Sequence, residues 1–386
     1  MRKTLIIPFT ILALALCLIL NAALTPEQDF VTDKGFEVNL QIDGMDNLSN
    51  IPLDDVFTDE PYRLDRIGNI DTNPATVING LLQNRNINEA ASYASFKSSE
   101  IDLSKVDVKI QTSILTDMIN NYDFGKNQIT IIPGTSGTLK GDTSTLQSLI
   151  NKSGKKVSFL AIRLSDGACV GYNVDDFYQS CSTIKTPLTL YAAQLIDQGK
   201  LSYNDVFTYT SAAYISGSGV IKNYDLGTRF KLKTLITYAI TESDNIAYQM
   251  LCMNLGVNNF YNYLDKLGCD VKSEDRTANR YWPDSNARSS ALWWSQVYQF
   301  KNSGEVGSWY WNLFGQAHSR IGIALSKTKE CYTKSGSSTY SLHEAGIVMG
   351  DEPYLVVIYT NSSTAAGNSE SYFYQVARAI DALICS

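Results

Sequence analysis

At 386 residues, with 44% hydrophobic and 18% charged side chains, the chain is long enough to bury a full core and too apolar to be disordered. Its net charge of -7 works against a nucleic acid or an anionic membrane surface as partner. There is no C-x-x-C, and neither His318 nor His343 sits beside a cysteine pair, so neither a metal nor any other cofactor is expected.

Arg2 and Lys3 precede an apolar run over 5–20 that closes at Ala22-Ala23. That is the layout of a signal peptide over 1–24. An uncleaved anchor is the alternative, because about 20 apolar residues span a bilayer. Either reading makes the remainder secreted or part of the cell envelope, in the second case tethered to a membrane. Cys169, Cys181, Cys252, Cys269, Cys331 and Cys385 are then free to form disulfides, in any of 15 connectivities. Residues 25–142 form a polar N-terminal region to which no function is assigned. Helical patterning begins at Asn73-Pro74 and recurs over 87–96 and 110–119. A strand is expected over 128–132 and a glycine-rich linker over 133–137.

The region 143–386 carries a clearer pattern. A short helix is expected over 145–150. Strands over 157–164 and 168–173 are joined by the turn Ser165-Asp166-Gly167. A helix over 183–198 stops at Gly199, and a largely helical middle follows, including 232–240, 246–255 and 258–267. The end reads as strands over 340–349 and 354–360 and a helix over 369–383. Strands at both ends with helices between them predict an α+β fold. Its antiparallel sheet would be flanked by helices, with a helical subdomain inserted.

Ser182 and Lys185 stand where the polar stretch Gln179-Ser180-Cys181 gives way to the predicted helix. Residues three apart share a helix face, which puts the amine within reach of the hydroxyl and gives serine a basic partner without histidine. The pair alone is weak evidence, since Ser153 with Lys156 and Ser326 with Lys329 have the same spacing. In isolation Ser182 is a helix cap and Lys185 a solvated side chain. What singles them out is the series that follows: Ser243-Asp244-Asn245, then Lys334-Ser335-Gly336.

Each position suits a task. A helix N-terminus favours negative charge developing near Ser182 and, with burial, disfavours protonated Lys185, the candidate base. Ser243 can pass a proton to a leaving amine, and Asn245 can hold a substrate carbonyl or amide, while Asp244 braces the turn. Lys334 offers positive charge to a carboxylate, Ser335 a hydroxyl, and Gly336 room for close backbone approach. Cys181 reads as a buried neighbour of the nucleophile. Trp293-Trp294 and Trp309-Tyr310-Trp311 read as helix-packing residues.

In this order the three motifs resemble those of the class A β-lactamase and penicillin-binding serine hydrolase superfamily. Supporting segments are Tyr214-Ile215-Ser216-Gly217-Ser218-Gly219, Gly227-Thr228 and His343-Glu344-Ala345-Gly346. The resemblance covers about residue 143 to the C-terminus. It implies a β-lactamase/DD-peptidase-like fold with the site between its two subdomains, and an acyl-enzyme on Ser182. It also implies an oxyanion hole from the N–H groups of Ser182 and Ser337, with Tyr214 among the residues meeting substrate. The implied substrate is a β-lactam or the D-alanyl-D-alanine end of a peptidoglycan stem peptide. One departure stands out. The superfamily's Glu-x-x-Leu-Asn segment, whose glutamate activates the deacylating water, has no counterpart over 275–286, where glutamate is absent. Glu274, Asp275 and Asp284 are the nearest acids. Acylation is therefore expected without fast deacylation. The alternative is a penicillin-binding sensor or envelope scaffold with little or no turnover.

Overall fold

A computed structural model describes residues 5–6, 40–41, 106, 108–110, 113–272, 282–362 and 369–386. Most of the apolar run over 5–20, and the helices expected at Asn73-Pro74 and over 87–96, lie outside the described residues. The chain divides into two units. The smaller takes residues 1–100, 203–211 and 224–234. Its strands are Leu5–Ile6 paired in parallel with Leu40–Gln41, and the antiparallel pair Val206–Thr208 and Arg229–Lys231, among the described residues. The larger unit takes 101–202, 212–223 and 235–386 and holds every residue of the three motifs.

The helices in chain order are α1 (Ile114–Asn121), α2 (Ser144–Ser153), α3 (Lys185–Asp197), α4 (Leu232–Thr241) and α5 (Asn245–Leu255). They continue with α6 (Val257–Lys266), α7 (Ala287–Phe300), α8 (Glu305–Gln316), α9 (Arg320–Ala324) and α10 (Ser369–Ile384). The main sheet is built from β1 (Thr130–Ile132), β2 (Val157–Arg163), β3 (Cys169–Tyr172), β4 (Cys331–Ser338), β5 (Ser341–Val348) and β6 (Tyr354–Thr360). Their order across it is β4-β5-β6-β2-β3-β1, antiparallel throughout. The α+β architecture expected from the sequence is the one observed.

Strand β6 shows why. Its sequence, Tyr-Leu-Val-Val-Ile-Tyr-Thr, has no polar alternation, and every residue is buried. A strand pleat sends alternate side chains to opposite faces. Tyr354, Val356 and Ile358 meet Phe373, Val376 and Ile380 of α10 and Leu146 of α2 in one core. Leu355, Val357 and Tyr359 turn to the other face, where α7 packs. A central strand covered on both faces must be apolar on both.

The β2–β3 turn is fastened by Asp166. Its carboxylate takes both guanidinium bonds of Arg163 (2.9 and 2.8 Å), the N–H of Ala168 and the hydroxyl of Ser136. The strand expected over 128–132 precedes a linker in the sequence, yet Thr130–Ile132 pairs with β3 as the sheet's edge. Helix α1 is likewise tied in. Arg288 of α7 donates to the carbonyls of Ile119 (2.6 Å) and Tyr122 (3.0 Å) and clasps Asp175 with its other nitrogens. The sheet thus starts upstream of residue 143. Trp293 and Trp294 are fully buried on α7, and Tyr310 on α8, in packing roles. All six cysteines of the described residues are free thiols, so the disulfides that the leader would permit are not formed there.

Candidate active site

Ser182 is the second residue of a single 3-10 turn, Cys181–Ile184, that runs straight into α3. The chain enters this turn through Cys181 at φ +50°, a left-handed conformation that a side chain disfavours. Such strain is held by the surroundings. Here Trp282 donates from Nε1 to the Cys181 carbonyl at 2.7 Å. Thr183 donates to the Ser180 carbonyl (2.6 Å), and its hydroxyl pairs with the Tyr359 hydroxyl (2.9 Å). Tyr359 also reaches Ser285 and Ser290, joining the turn to the sheet and to α7. Ser182 is half-buried while its neighbours from Cys181 to Lys185 are buried. Burial pushes the Cys181 thiol up to about 11, so it stays protonated and is no rival nucleophile.

Lys185 is completely buried. Its Nζ donates to the Ser243 carbonyl (2.5 Å) and to Asn245 Oδ1 (2.7 Å), and lies 3.4 Å from Ser243 Oγ. The three-residue spacing predicts an amine turned toward Ser182. Instead its hydrogen bonds run to Ser243 and Asn245, because a buried amine needs acceptors and that turn supplies them. Burial first, and the Lys334 charge second, hold Lys185 well below the usual lysine range, against the opposing pull of Asp244.

The Ser243-Asp244-Asn245 turn is over-determined. Ser243 has φ +50°. Fully buried Asp244 caps α5, accepting from the N–H groups of Ile246 and Ala247 on one oxygen and of Val220 and Ile221 on the other, at 2.6–2.9 Å. It is the brace that the sequence suggests. Asn245 donates from Nδ2 to the Ser216 carbonyl (2.8 Å) and from its backbone to the Ser218 carbonyl (3.0 Å). Glycine is required alongside. A Cβ on Gly217 would lie 2.5 Å from Asn245 Nδ2, and one on Gly219 2.2 Å from the Asp244 carboxylate.

Lys334 arrives on β4, paired opposite Ala345. Its Nζ donates to Ser243 Oγ and to the Ser335 carbonyl, both at 2.9 Å, so both lysines converge on one hydroxyl. Burial lowers Lys334 to about 7, with Glu344 pulling the other way and Arg320 adding to the fall. Glu344 on β5 is fully buried. It accepts from Thr333 (2.6 Å), Ser319 (2.7 Å) and the N–H groups of Arg320 and Ile321. Gly336 brings the strand hard against the nucleophile turn: a Cβ there would lie 2.8 Å from Ser182 N and 2.9 Å from Thr183 N.

The structure therefore gathers Ser182, Lys185, Ser243, Asn245, Lys334 and Gly336. Ser335 aims its hydroxyl at the His318 carbonyl (3.4 Å). Ser337 is exposed on β4, and Tyr214 is 51% exposed on a loop that meets Asn245 through the carbonyls of Ser216 and Ser218. His343 is structural: Nδ1 accepts from Thr360 N–H, Nε2–H donates to the Gln179 carbonyl, and burial lowers it to about 4. Trp282 has no counterpart among the sequence candidates. Only an aromatic residue before Pro283, in the stretch already notable for lacking a glutamate, could have drawn attention to it. Of the three acids considered there, Glu274 and Asp275 lie outside the described residues. Asp284 is exposed, and its backbone pairs with Lys272.

The sequence profile of the Beta-lactamase enzyme family matches residues 143–383. No curated protein sequence matches the chain. Among solved structures, it is similar to a mutant of PBP-A held as an acyl-enzyme complex with penicillin G, at 16% identity and TM-score 0.57, covering 62% of this chain and 93% of that one. A β-lactamase from Sphaerobacter thermophilus matches at 19% identity and TM-score 0.55, over 62% and 95%. An ancestral class A β-lactamase matches at 19% and 0.55, over 62% and 98%. At these identities the likeness is one of fold.

Proposed function

Because the chain belongs to the β-lactamase enzyme family, we propose that it is an exported serine hydrolase that takes an acyl group onto Ser182. The donor is a β-lactam or a D-alanyl-D-alanine cell-wall peptide. The observation that carries this reading is the hydrogen-bonded run from Lys185 through Ser243 to Lys334 beside the turn that bears Ser182.

Ser182 Oγ attacks the substrate carbonyl and gives its proton to the amine of Lys185, which burial keeps available as a base. The oxyanion is met by the N–H groups of Ser182 and Ser337. Such donors are each worth about 2.7–4 kcal/mol in related chemistry. As the C–N bond breaks, the leaving nitrogen takes a proton through Ser243 Oγ, which both lysines touch. Asn245 holds the substrate amide, and Lys334 with Ser335 draws in its carboxylate. Tyr214 lines the approach.

Deacylation is slow in this reading, since 275–286 offers no glutamate to activate water. The acyl-enzyme complex of the PBP-A mutant with penicillin G supports acyl transfer as a chemistry that this fold can carry. The same missing glutamate favours a second reading, a penicillin-binding sensor or scaffold of the envelope that acylates once.

Intact-mass analysis after incubation with penicillin G tests the main proposal. One adduct per chain, lost in Ser182→Ala, is expected. No adduct, or one that survives Ser182→Ala, refutes it. Rapid multiple turnover of nitrocefin would overturn the slow deacylation, and steady release of D-alanine from a muropeptide would overturn the sensor.

A further inference from the structure

We propose that Trp282 is a positioning residue that aims the backbone N–H of Ser182 into the oxyanion hole. The inference rests on the acyl-enzyme reading above. A trans peptide points its carbonyl and its N–H in opposite directions. The Cys181 carbonyl and the Ser182 N–H belong to one such peptide. Trp282 Nε1–H holds that carbonyl at 2.7 Å. The Ser182 nitrogen lies on the β4 side, where a Cβ on Gly336 would sit 2.8 Å from it. A bond made behind the nucleophile therefore sets the direction of the donor in front of it.

The peptide needs such a hold. Cys181 sits at φ +50°, and a residue with a side chain leaves that region readily unless its peptide planes are fixed. The indole is itself well placed to fix them. Its ring lies 4.3 Å from that of fully buried Tyr248 on α5, the helix that begins at Asn245. The same ring lies 5.7 Å from Lys185 Nζ. One side chain thus ties the nucleophile turn to the helix that carries the base's acceptor.

Trp282→Phe keeps an aromatic ring against Tyr248 and removes only the N–H. With labelled penicillin, the maximal acylation rate is expected to fall about tenfold, the worth of one ordinary hydrogen bond. The half-saturating concentration should stay within twofold. Affinity for a phenylboronic acid, whose tetrahedral adduct places an oxygen in the same hole, should fall by a similar factor. Trp282→His, which keeps a ring N–H, should recover most of the rate. In 15N-serine-labelled protein without substrate, the Ser182 amide resonance should move in Trp282→Phe and return in Trp282→His. An unchanged maximal rate, a loss confined to half-saturation, or an unmoved amide resonance overturns the inference. If the wild type itself takes up no penicillin, the parent reading fails, and the amide resonance alone decides whether Trp282 orients this N–H.

Discussion

A single methyl group at residue 336 is expected to disable the site from the β4 side. In Gly336→Ala the new Cβ would lie 2.8 Å from Ser182 N, 2.9 Å from Thr183 N and 3.0 Å from Cys181 Cβ. Ordinary contact begins near 3.4–3.5 Å, so β4 and the nucleophile turn must part by about 0.6 Å. None of the three atoms is the end of a flexible side chain that could swing aside. Overpacking of this kind costs about 1–3 kcal/mol, or roughly 3–9 °C of melting temperature in a unit of this size. The chemical loss is of the same size in free energy. Oxyanion donors act at about 2.7–3.1 Å, and a displacement approaching 1 Å costs up to about 100-fold. Gly336→Ala should therefore melt several degrees lower and acylate about thirty- to a hundredfold more slowly. The checks are a thermal melt and stopped-flow acylation with a fluorescent penicillin. Wild-type rates with an unchanged melt would refute the reasoning, because the strand and the turn would then not be in contact as described.

Three other outcomes follow from the same contacts. Lys334, lowered to about 7 mainly by burial, is charged below that pH and neutral above it. Half-saturation by a carboxylate-bearing penicillin should therefore weaken severalfold between pH 7 and 9, and Lys334→Arg, which stays charged, should flatten that limb of the profile. Lys185→Arg replaces a group able to take a proton with one that is not, so acylation should fall by about 10²–10⁴; a rate within tenfold of wild type would remove Lys185 as the base. Asp244→Ala strips the acceptor from four backbone N–H groups, and a loss of about 3 kcal/mol is expected from the midpoint of urea unfolding.

Some of this architecture is written locally in the sequence and some is not. Strands β2, β3 and β6 are legible because they are apolar runs set off by Ser165-Asp166-Gly167 and by polar flanks. Strand β4, Cys-Tyr-Thr-Lys-Ser-Gly-Ser-Ser, carries no such signal over its length. It is a strand because β5 pairs with it from Cys331↔Val348 to Ser338↔Ser341, and its polarity is that of a strand at the edge of the sheet. Helix α3 begins at Lys185 rather than at 183, since the left-handed entry at Cys181 opens a 3-10 turn first. The three motifs are visible because each is a short local pattern. What joins them is not: Lys185 meets Ser243, Lys334 meets the same hydroxyl, and Trp282 meets Cys181 only after distant segments fold together. No window of neighbouring residues contains those pairings.

The position of β6 bears on the order in which the molecule becomes competent. Among the described residues it is the strand that joins β5 to β2, and it follows both of them in the chain. Until Tyr354 pairs with Arg163, the β4–β5 hairpin that carries Lys334 and Gly336 lacks its sheet connection to β2 and β3, and contacts such as Tyr332 on Trp311 and Lys334 to Ser243 must hold it beside the turn that bears Ser182. Long-range pairing of this kind is slow to form. In the proposed reading, a complete site therefore waits on the stitching together of the two halves of the sheet.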